Sequence, residues 1–373
     1  MTTIDEFAAG FDEDPGYLDF AHIGPIGRAV LEEEQALVEL LRRARFGTLE
    51  SLEGQDARVR EAVSDVTGFR PDQVAFQPNT SAGLMHTMFG ITGSVALSPA
   101  EFPSTTFAAV RASESLRVLT PIWLDTDYGR VTPGTVRDQL TSATAAVAVS
   151  LVDFRTGYLA DLEGIRQVIG DRLLIVDAIQ GFGVVDAPYS AADVVVSGGQ
   201  KFVRAGWGTG FLALSDRAAE RLTPVFSGFS GTDEALPLDT VLPPRRGVGA
   251  FTVSNPGPIA QARLATALEE IGSVGVAAIA QCVLLKTDRL LALADEFGVP
   301  VVSPRDARER AGIVVLKPAA DQLTVLAASL YNHGVSATSR GGTVRLSAHV
   351  TTGEDTFEML RASFASYASA VNV

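Results

Sequence analysis

The sequence predicts an α/β protein, with a mostly parallel sheet in a three-layer α/β/α large domain followed by a smaller α+β domain. Three observations predict it. Apolar runs of strand character alternate with amphipathic stretches through the first half of the 373 residues. A Gly/Pro-rich passage, SGFSGTDEALPLDTVLPPRRGVG, then interrupts the pattern. Beyond it, long helical stretches lead into a second alternation of short strands and helices.

Taken in order, QVAFQ reads as a strand followed by a helix from about Ser81. SVALS, RVLTPIWL and TAAVAVSLV read as further strands, 161–170 as an acidic helix, and RLLIVDAI, DVVVSG and TGFLALS as three more strands. Parallel strands joined through helices cross over with one hand, which puts their C-terminal ends on one edge, where ligands bind. The Gly/Pro-rich passage reads as an excursion between lobes or a loop that reaches a neighbouring subunit. After it come the helix PIAQARLATALEEIGSVG, a second helix holding Cys282, then GIVVLKP, DQLTVLAASLYNHG, TVRLSAH and TFEMLRASFASYASA. The expected division is a large domain over 19–256 and a small one over 257–373, joined by residues 1–18.

Composition narrows the function. A net charge of -14 with no local Lys/Arg cluster repels phosphate backbones and anionic lipid, which argues against nucleic-acid and membrane-surface roles. The acidic start MTTIDEFAAGFDEDPG lacks the basic residues of a signal or transit peptide, and no apolar run approaches the ~18 residues of a membrane span. A cytoplasmic protein is expected. Cys282 is the single cysteine, so neither a disulfide framework nor a cysteine metal cluster is expected; its plain reading is a small buried hydrophobe.

The chemistry concentrates in LLIVDAIQGFGVVDAPYSAADVVVSGGQKFVRAGWGTGFLAL. Asp177 ends a buried strand, and Lys201 follows the next one. A cofactor that stabilises a carbanion needs a lysine to form an imine and a carboxylate to keep its ring nitrogen protonated. Taken singly, Asp177 is a helix cap and Lys201 a solvated surface lysine. Together, at the ends of neighbouring strands, they read as the pair that binds pyridoxal 5′-phosphate. The strand, polar turn and helix of QVAFQPNTSAGLMHTMFG form a second candidate, because the first amides of a helix point outward and bind anions. An ordinary Ser/Thr helix cap is the plainer alternative there.

From YLDFAHIGPIG to TVRLSAHVTTGEDTFEML the chain resembles the class V aminotransferase family of fold-type I pyridoxal-phosphate enzymes, which includes aminotransferases, kynureninase, isopenicillin-N epimerase and cysteine desulfurases. The resemblance implies Lys201 as the Schiff-base lysine, Asp177 as partner of the pyridine nitrogen and Gln180 as hydrogen bonder to the cofactor's phenolic oxygen. It implies phosphate contacts from Thr80, Ser81 and Ser197, with Phe102 stacked on the cofactor face. Gln200 stands where the family commonly has His, so it can donate to the cofactor but brings no charge. Arg345 in VRLSAH matches the family's carboxylate-binding arginine, and SNPGP resembles the loop with which Asn255 would act on a neighbour's site, implying a homodimer with shared active sites. Phe154 falls where the family often has Asn. Asp153 or Arg155 could take a substrate role, or Arg155 could simply pair with a surface acid. His349 reads as structural.

Within that resemblance the best match is an aminotransferase acting on a small amino acid or amine, in which Lys201 moves the α-proton. A persulfide route needs a cysteine in the small lobe, where GVSATSRGG has none. Kynureninase-type lyases share Phe102 and the Ser-Asn-Pro loop, but have Tyr before the lysine and His three residues after the aspartate, where this chain has Gln200 and Gln180. A lyase or epimerase remains the alternative. A non-catalytic amino-acid-binding protein ranks below these, because lysine and aspartate are both retained. A dinucleotide-binding dehydrogenase also ranks low, because no Gly-x-Gly-x-x-Gly opens a helix near the first strand.

Overall fold

The computed structural model describes residues 2–234 and 239–371, so 235–238 in the middle of the Gly/Pro-rich excursion, and the chain's outermost residues, lie outside the description. Its main sheet has seven strands: β1 (Val74–Phe76), β2 (Gly93–Leu97), β3 (Leu119–Trp123), β4 (Thr144–Ser150), β5 (Leu173–Asp177), β6 (Val194–Gly198) and β7 (Gly210–Leu214). Their spatial order is β1-β7-β6-β5-β4-β2-β3. All neighbours pair in parallel except β7, which runs antiparallel to both β1 and β6. Every strand expected in the first half is present.

The continuous apolar runs of β5 and β6 follow from burial on both faces. Side chains alternate across the sheet. Ile175, Val194 and Val196 join one core with Leu84 and Met88 of helix Thr80–Gly90. Leu174, Val176 and Val195 join the other with Ile165 of helix Leu162–Ile169 and Leu264 of helix Pro258–Val274. β3 contains Pro121, which lacks the donor an interior strand needs; β3 accordingly lies at the sheet edge.

The second lobe has a three-stranded antiparallel sheet in the order β8-β10-β9, from β8 (Ile313–Leu316), β9 (Thr338–Arg340) and β10 (Thr343–Ser347). Helices Val276–Glu296, Leu323–Asn332 and Glu354–Val371 cover it. The helix that follows the expected division at 256/257 packs on the large lobe. Helix Pro258–Val274 buries Leu264, Ala265, Leu268 and Ile271 in the core beneath the large sheet, and the chain turns through 84° between it and helix Val276–Glu296, whose Ile279 and Val283 join the same core. The N-terminal segment serves both lobes: Phe7 and Phe20 lie in the large core, while Leu18 lies in the small one and Tyr17 and Asp19 bridge to Ser336 and Ser347. Among the described residues no single helix is long and apolar enough to cross a membrane.

Candidate active site

The C-terminal ends of β1, β2, β4, β5 and β6 meet at one edge of the sheet, and the candidate residues collect there. Asp177 ends β5 and is almost wholly buried. Its Oδ1 accepts from Ile179 N at 3.1 Å, while Oδ2 has no partner within the protein. Burial pushes its carboxyl up to about 6, against the pull of the Ile179 N–H and the Lys201 ammonium. Lys201 lies in the turn after β6, 9% exposed, with Nζ 5.3 Å from the centre of the Phe102 ring. Burial brings its ammonium down to about 8; Asp177 opposes that shift and Arg345 adds to it. The neutral amine is therefore a minority form, on the order of a tenth of molecules at pH 7, yet far more abundant than in an ordinary exposed lysine.

A tight packing contact holds the lysine turn. Gly24 N donates to Gln200 O at 2.8 Å, and a Cβ added at Gly24 would stand 2.1 Å from Lys201 O, so only glycine lets the N-terminal segment come this close. Three residues on, Arg204 takes a left-handed backbone (φ 64°) with its side chain fully buried. It is bonded to Glu13 and to Pro25 O (2.6 Å), and its guanidinium lies 3.6 Å from the centre of the Phe11 ring.

Helix Thr80–Gly90 begins at the end of β1, and its cap is Asn79, whose side chain accepts from Ala82 N at 2.9 Å. Thr80 and Ser81 are thereby free of the capping task. Thr80 Oγ1 is buried without a partner, and Ser81 Oγ meets Ser104 Oγ at 2.7 Å. A Cβ at Gly198 would stand 3.1 Å from Thr80 Oγ1 and 2.4 Å from Gln200 Oε1, so Thr80 and Gln200 converge on this glycine. Ser197 does not join them. Strand alternation turns it to the opposite face from Val196, the face of Val195, and its fully buried hydroxyl bonds Gly198 O at 3.4 Å. The structure thus places Ser197 on the face away from Thr80, and Gly198 is the strand residue that faces Thr80.

Phe102 precedes helix Pro103–Leu116 and meets Phe154 edge-on, centroids 5.2 Å apart. Arg155 is exposed and lies over the Phe154 ring at 5.3 Å; it forms no ion pair among the described residues, contrary to the surface pairing expected. Asp153 is buried but holds its own turn, its Oδ1 accepting from Arg155 N, Thr156 N and Thr156 Oγ1. Gln180 donates through Nε2 to Ala21 O at 3.0 Å, and its Oε1 has no partner. Arg345, on β10, reaches the site from the small lobe. Its fork is held loosely, by Phe154 O at 3.5 Å, Thr338 Oγ1 at 3.3 Å and Asp19 Oδ1 at 3.9 Å, and its Nε is unpartnered. Asn255 is exposed and bonded to Ser230 Oγ at 2.9 Å. His349 is buried against Phe20 and bonded to Phe202 O, and burial drives its pKa well below the usual range, which fits a structural role. Cys282 is half-buried within helix Val276–Glu296.

The family model described as Aminotransferase class-V matches residues 51–373. The chain belongs to the class-V aminotransferase family. A kynureninase of Deinococcus radiodurans is 28% identical over 191 residues, 48% of this chain and 47% of that protein, so the match spans about half of each. The fold is also that of a cysteine desulfurase from Thermococcus onnurineus NA1, with a TM-score of 0.83, 21% identity and 93% of each chain covered. The cystine C–S lyase C-DES, solved with its product cysteine persulfide, aligns at a TM-score of 0.84 and 17% identity over 94% of this chain and 97% of that one.

Pyridoxal 5′-phosphate is the cofactor of this class-V enzyme, and the residues present fit it. Four buried polar atoms at the sheet edge and the lobe facing it lack any protein partner: Asp177 Oδ2, Thr80 Oγ1, Gln180 Oε1 and Arg345 Nε. Buried polar groups are normally bonded, so a set left open around one lysine marks a ligand pocket. Glu101 and Ser150, bonded to each other beside Asp177 and Phe102, are neighbours of these candidates that the sequence reading missed. Glu101 follows the strand SVALS by three residues and immediately precedes Phe102, and that strand-end position is the signal that could have found it.

Proposed function

We propose that this class-V enzyme is an aminotransferase for a small amino acid, with Lys201 as its proton carrier. The observation that carries the reading is Lys201 itself: a buried amine, lowered to about 8, close to the Phe102 ring and within electrostatic reach of the Asp177 carboxylate. Bound there, pyridoxal phosphate supplies an electron sink for a carbanion at the amine-bearing carbon of the substrate. Asp177 offers its free Oδ2 to a protonated ring nitrogen. The first amides of helix Thr80–Gly90 and the Thr80 hydroxyl donate to phosphate. Phe102 and Phe154 wall the ring face and exclude water. Arg345 presents its loosely held fork to the substrate carboxylate, a pairing made strong by two parallel charge-assisted bonds. Lys201 Nζ is the one base the reading requires: it would take the proton from the amine-bearing carbon and carry it to the far side of the substrate nitrogen.

The Deinococcus kynureninase favours a second reading, a lyase that cleaves a side-chain bond of its amino acid. The two part at the product. Mixing the holoenzyme with a panel of amino acids, without a keto-acid acceptor, should yield pyridoxamine phosphate and one keto acid per site. Catalytic release of a side-chain fragment with the aldehyde form of the cofactor retained would replace the aminotransferase with the lyase.

The same reading includes a homodimer in which Asn255 serves the neighbour's site. It is supported by the exposed apolar side chains Leu31, Val38 and Leu41 on helix Arg28–Arg43 and Leu49 beyond it, a surface that a second copy would cover. Lys201→Ala and Asn255→Ala chains, each impaired alone, should on mixing regain about a quarter of wild-type sites, because each mixed dimer assembles one complete site. No recovery would place Asn255 in its own chain's site or outside any site.

A further inference from the structure

Glu101 is a buried acid to which the reaction above gives no task. It lies between β2 and helix Pro103–Leu116, one residue before Phe102, and is 5% exposed. Its Oε1 accepts from Ser150 N at 3.2 Å, and its Oε2 is bonded to Ser150 Oγ. Ser150 ends β4 directly opposite Asp177 in the β4–β5 register, and the next residue, Leu151, donates its N–H to Asp177 O at 2.8 Å. One carboxyl group thus ties the loop that carries Phe102 to the strand end beside Asp177.

The charges around Glu101 oppose its ionisation. Asp177 acts on it from β5 and Asp153 from the turn after β4, both negative. The nearby cations serve those two acids, Lys201 beside Asp177 and Arg155 beside Asp153. The Asp127–Gly129 turn packs on the neighbouring Ala100 through Gly129. Burial first, and the two carboxylates after it, push the Glu101 carboxyl up to about 8 despite its bonds to Ser150.

We propose that Glu101 works as a neutral carboxylic acid, a positioning residue that holds the Phe102 ring against the cofactor face and leaves Asp177 as the carboxylate presented to the ring nitrogen. Both Ser150 donors point at the carboxyl group, and a protonated Oε2 would turn the Oγ bond round, donating where an ionised Oε2 accepts, while Oε1 keeps the Ser150 N–H. An ionised Glu101 would add a second buried negative charge at the end of the same strands. The inference rests on the cofactor pocket described above and is independent of whether aminotransfer or bond cleavage follows.

Infrared spectra of the apoprotein at neutral pH test the proton directly. A protonated-carboxyl band should be present in the wild type and in Asp177→Asn, and absent in Glu101→Gln. Titration with pyridoxal phosphate tests the positioning. Glu101→Gln, which keeps a neutral hydrogen-bonding group, should bind within about twofold of wild type, and Glu101→Ala about tenfold more weakly, the scale of losing bonds to a buried polar partner. A band missing from the wild type or surviving in Glu101→Gln overturns the neutral acid. Equal affinity of Glu101→Ala and wild type, or equal weakness of Glu101→Gln and Glu101→Ala, overturns the positioning role. Should Glu101→Ala fail to fold, the infrared band and the affinity of Glu101→Gln decide. If the wild type itself does not bind the cofactor, the pocket assignment and the positioning role fall together, while the band still reports the proton.

Discussion

Lys201 and Asp177 are both unfavourably buried when charged, and each relieves the other. This mutual dependence makes the chemistry pH-sensitive in a defined direction. On the proposed role of Lys201 as the amine that takes the cofactor, the rate of cofactor loading should rise with pH through about 8 and then level off, which stopped-flow absorbance would follow. Lys201→Ala should lose the covalent visible band altogether. Arg345→Ala should weaken amino-acid binding by about tenfold to a hundredfold, the range for losing a charge-assisted pair, while leaving the cofactor spectrum intact; loss of cofactor instead would remove Arg345 from substrate recognition. Glu101 has a stability signature as well. Its pKa is raised from 4.5 to about 8 in the fold, so its contribution to stability is whole below about 4.5 and is lost as pH rises through about 8. Melting curves of the apoprotein should show the wild type losing ground to Glu101→Gln across that window.

The site at the scale of elements is a set of strand ends with two close approaches. The Asn79 cap leaves the Thr80 hydroxyl open to a ligand, and alternation along β6 decides that Gly198, not Ser197, lies beside it. The N-terminal segment presses on the lysine turn at Gly24, where a side chain has no room. Gly24→Ala should therefore displace the turn, costing about 1–3 kcal/mol in stability, as forced overpacking does, and lowering cofactor occupancy. Thermal melting and the visible band would report the two effects separately. A variant with normal melting and normal occupancy would show that the segment can shift without carrying Lys201 along.

Across the whole molecule, one buried arginine joins the pieces. Arg204 sits three residues beyond Lys201, is bonded to Glu13 and Pro25 O, and touches Thr351 Oγ1 of the small lobe at 3.4 Å. Removing one partner of a buried ion pair leaves the other charged and unsolvated. Arg204→Ala should therefore destabilise the fold by about 3–5 kcal/mol and expose residues 11–25 to limited proteolysis. A variant that melts like the wild type and resists cleavage would show that the aromatic packing of Phe7, Phe11 and Phe20 holds the segment by itself.

The sequence alone determined the alternation of strands and helices, the two-lobed division in outline, and the pairing of Asp177 with Lys201, because buried parallel strands are apolar throughout and their C-terminal ends must share an edge. The tertiary structure decided what depends on contacts distant in the chain. Helix Pro258–Val274 belongs to the large core because its apolar residues find the main sheet there, which no local signal in the helix reveals. Ser197 turns away from Thr80 because strand register assigns its face. Glu101 is an acid with an abnormal proton affinity because β4 and β5 bring Ser150 and Asp177 beside it, and burial and neighbouring charge are properties of the assembled fold.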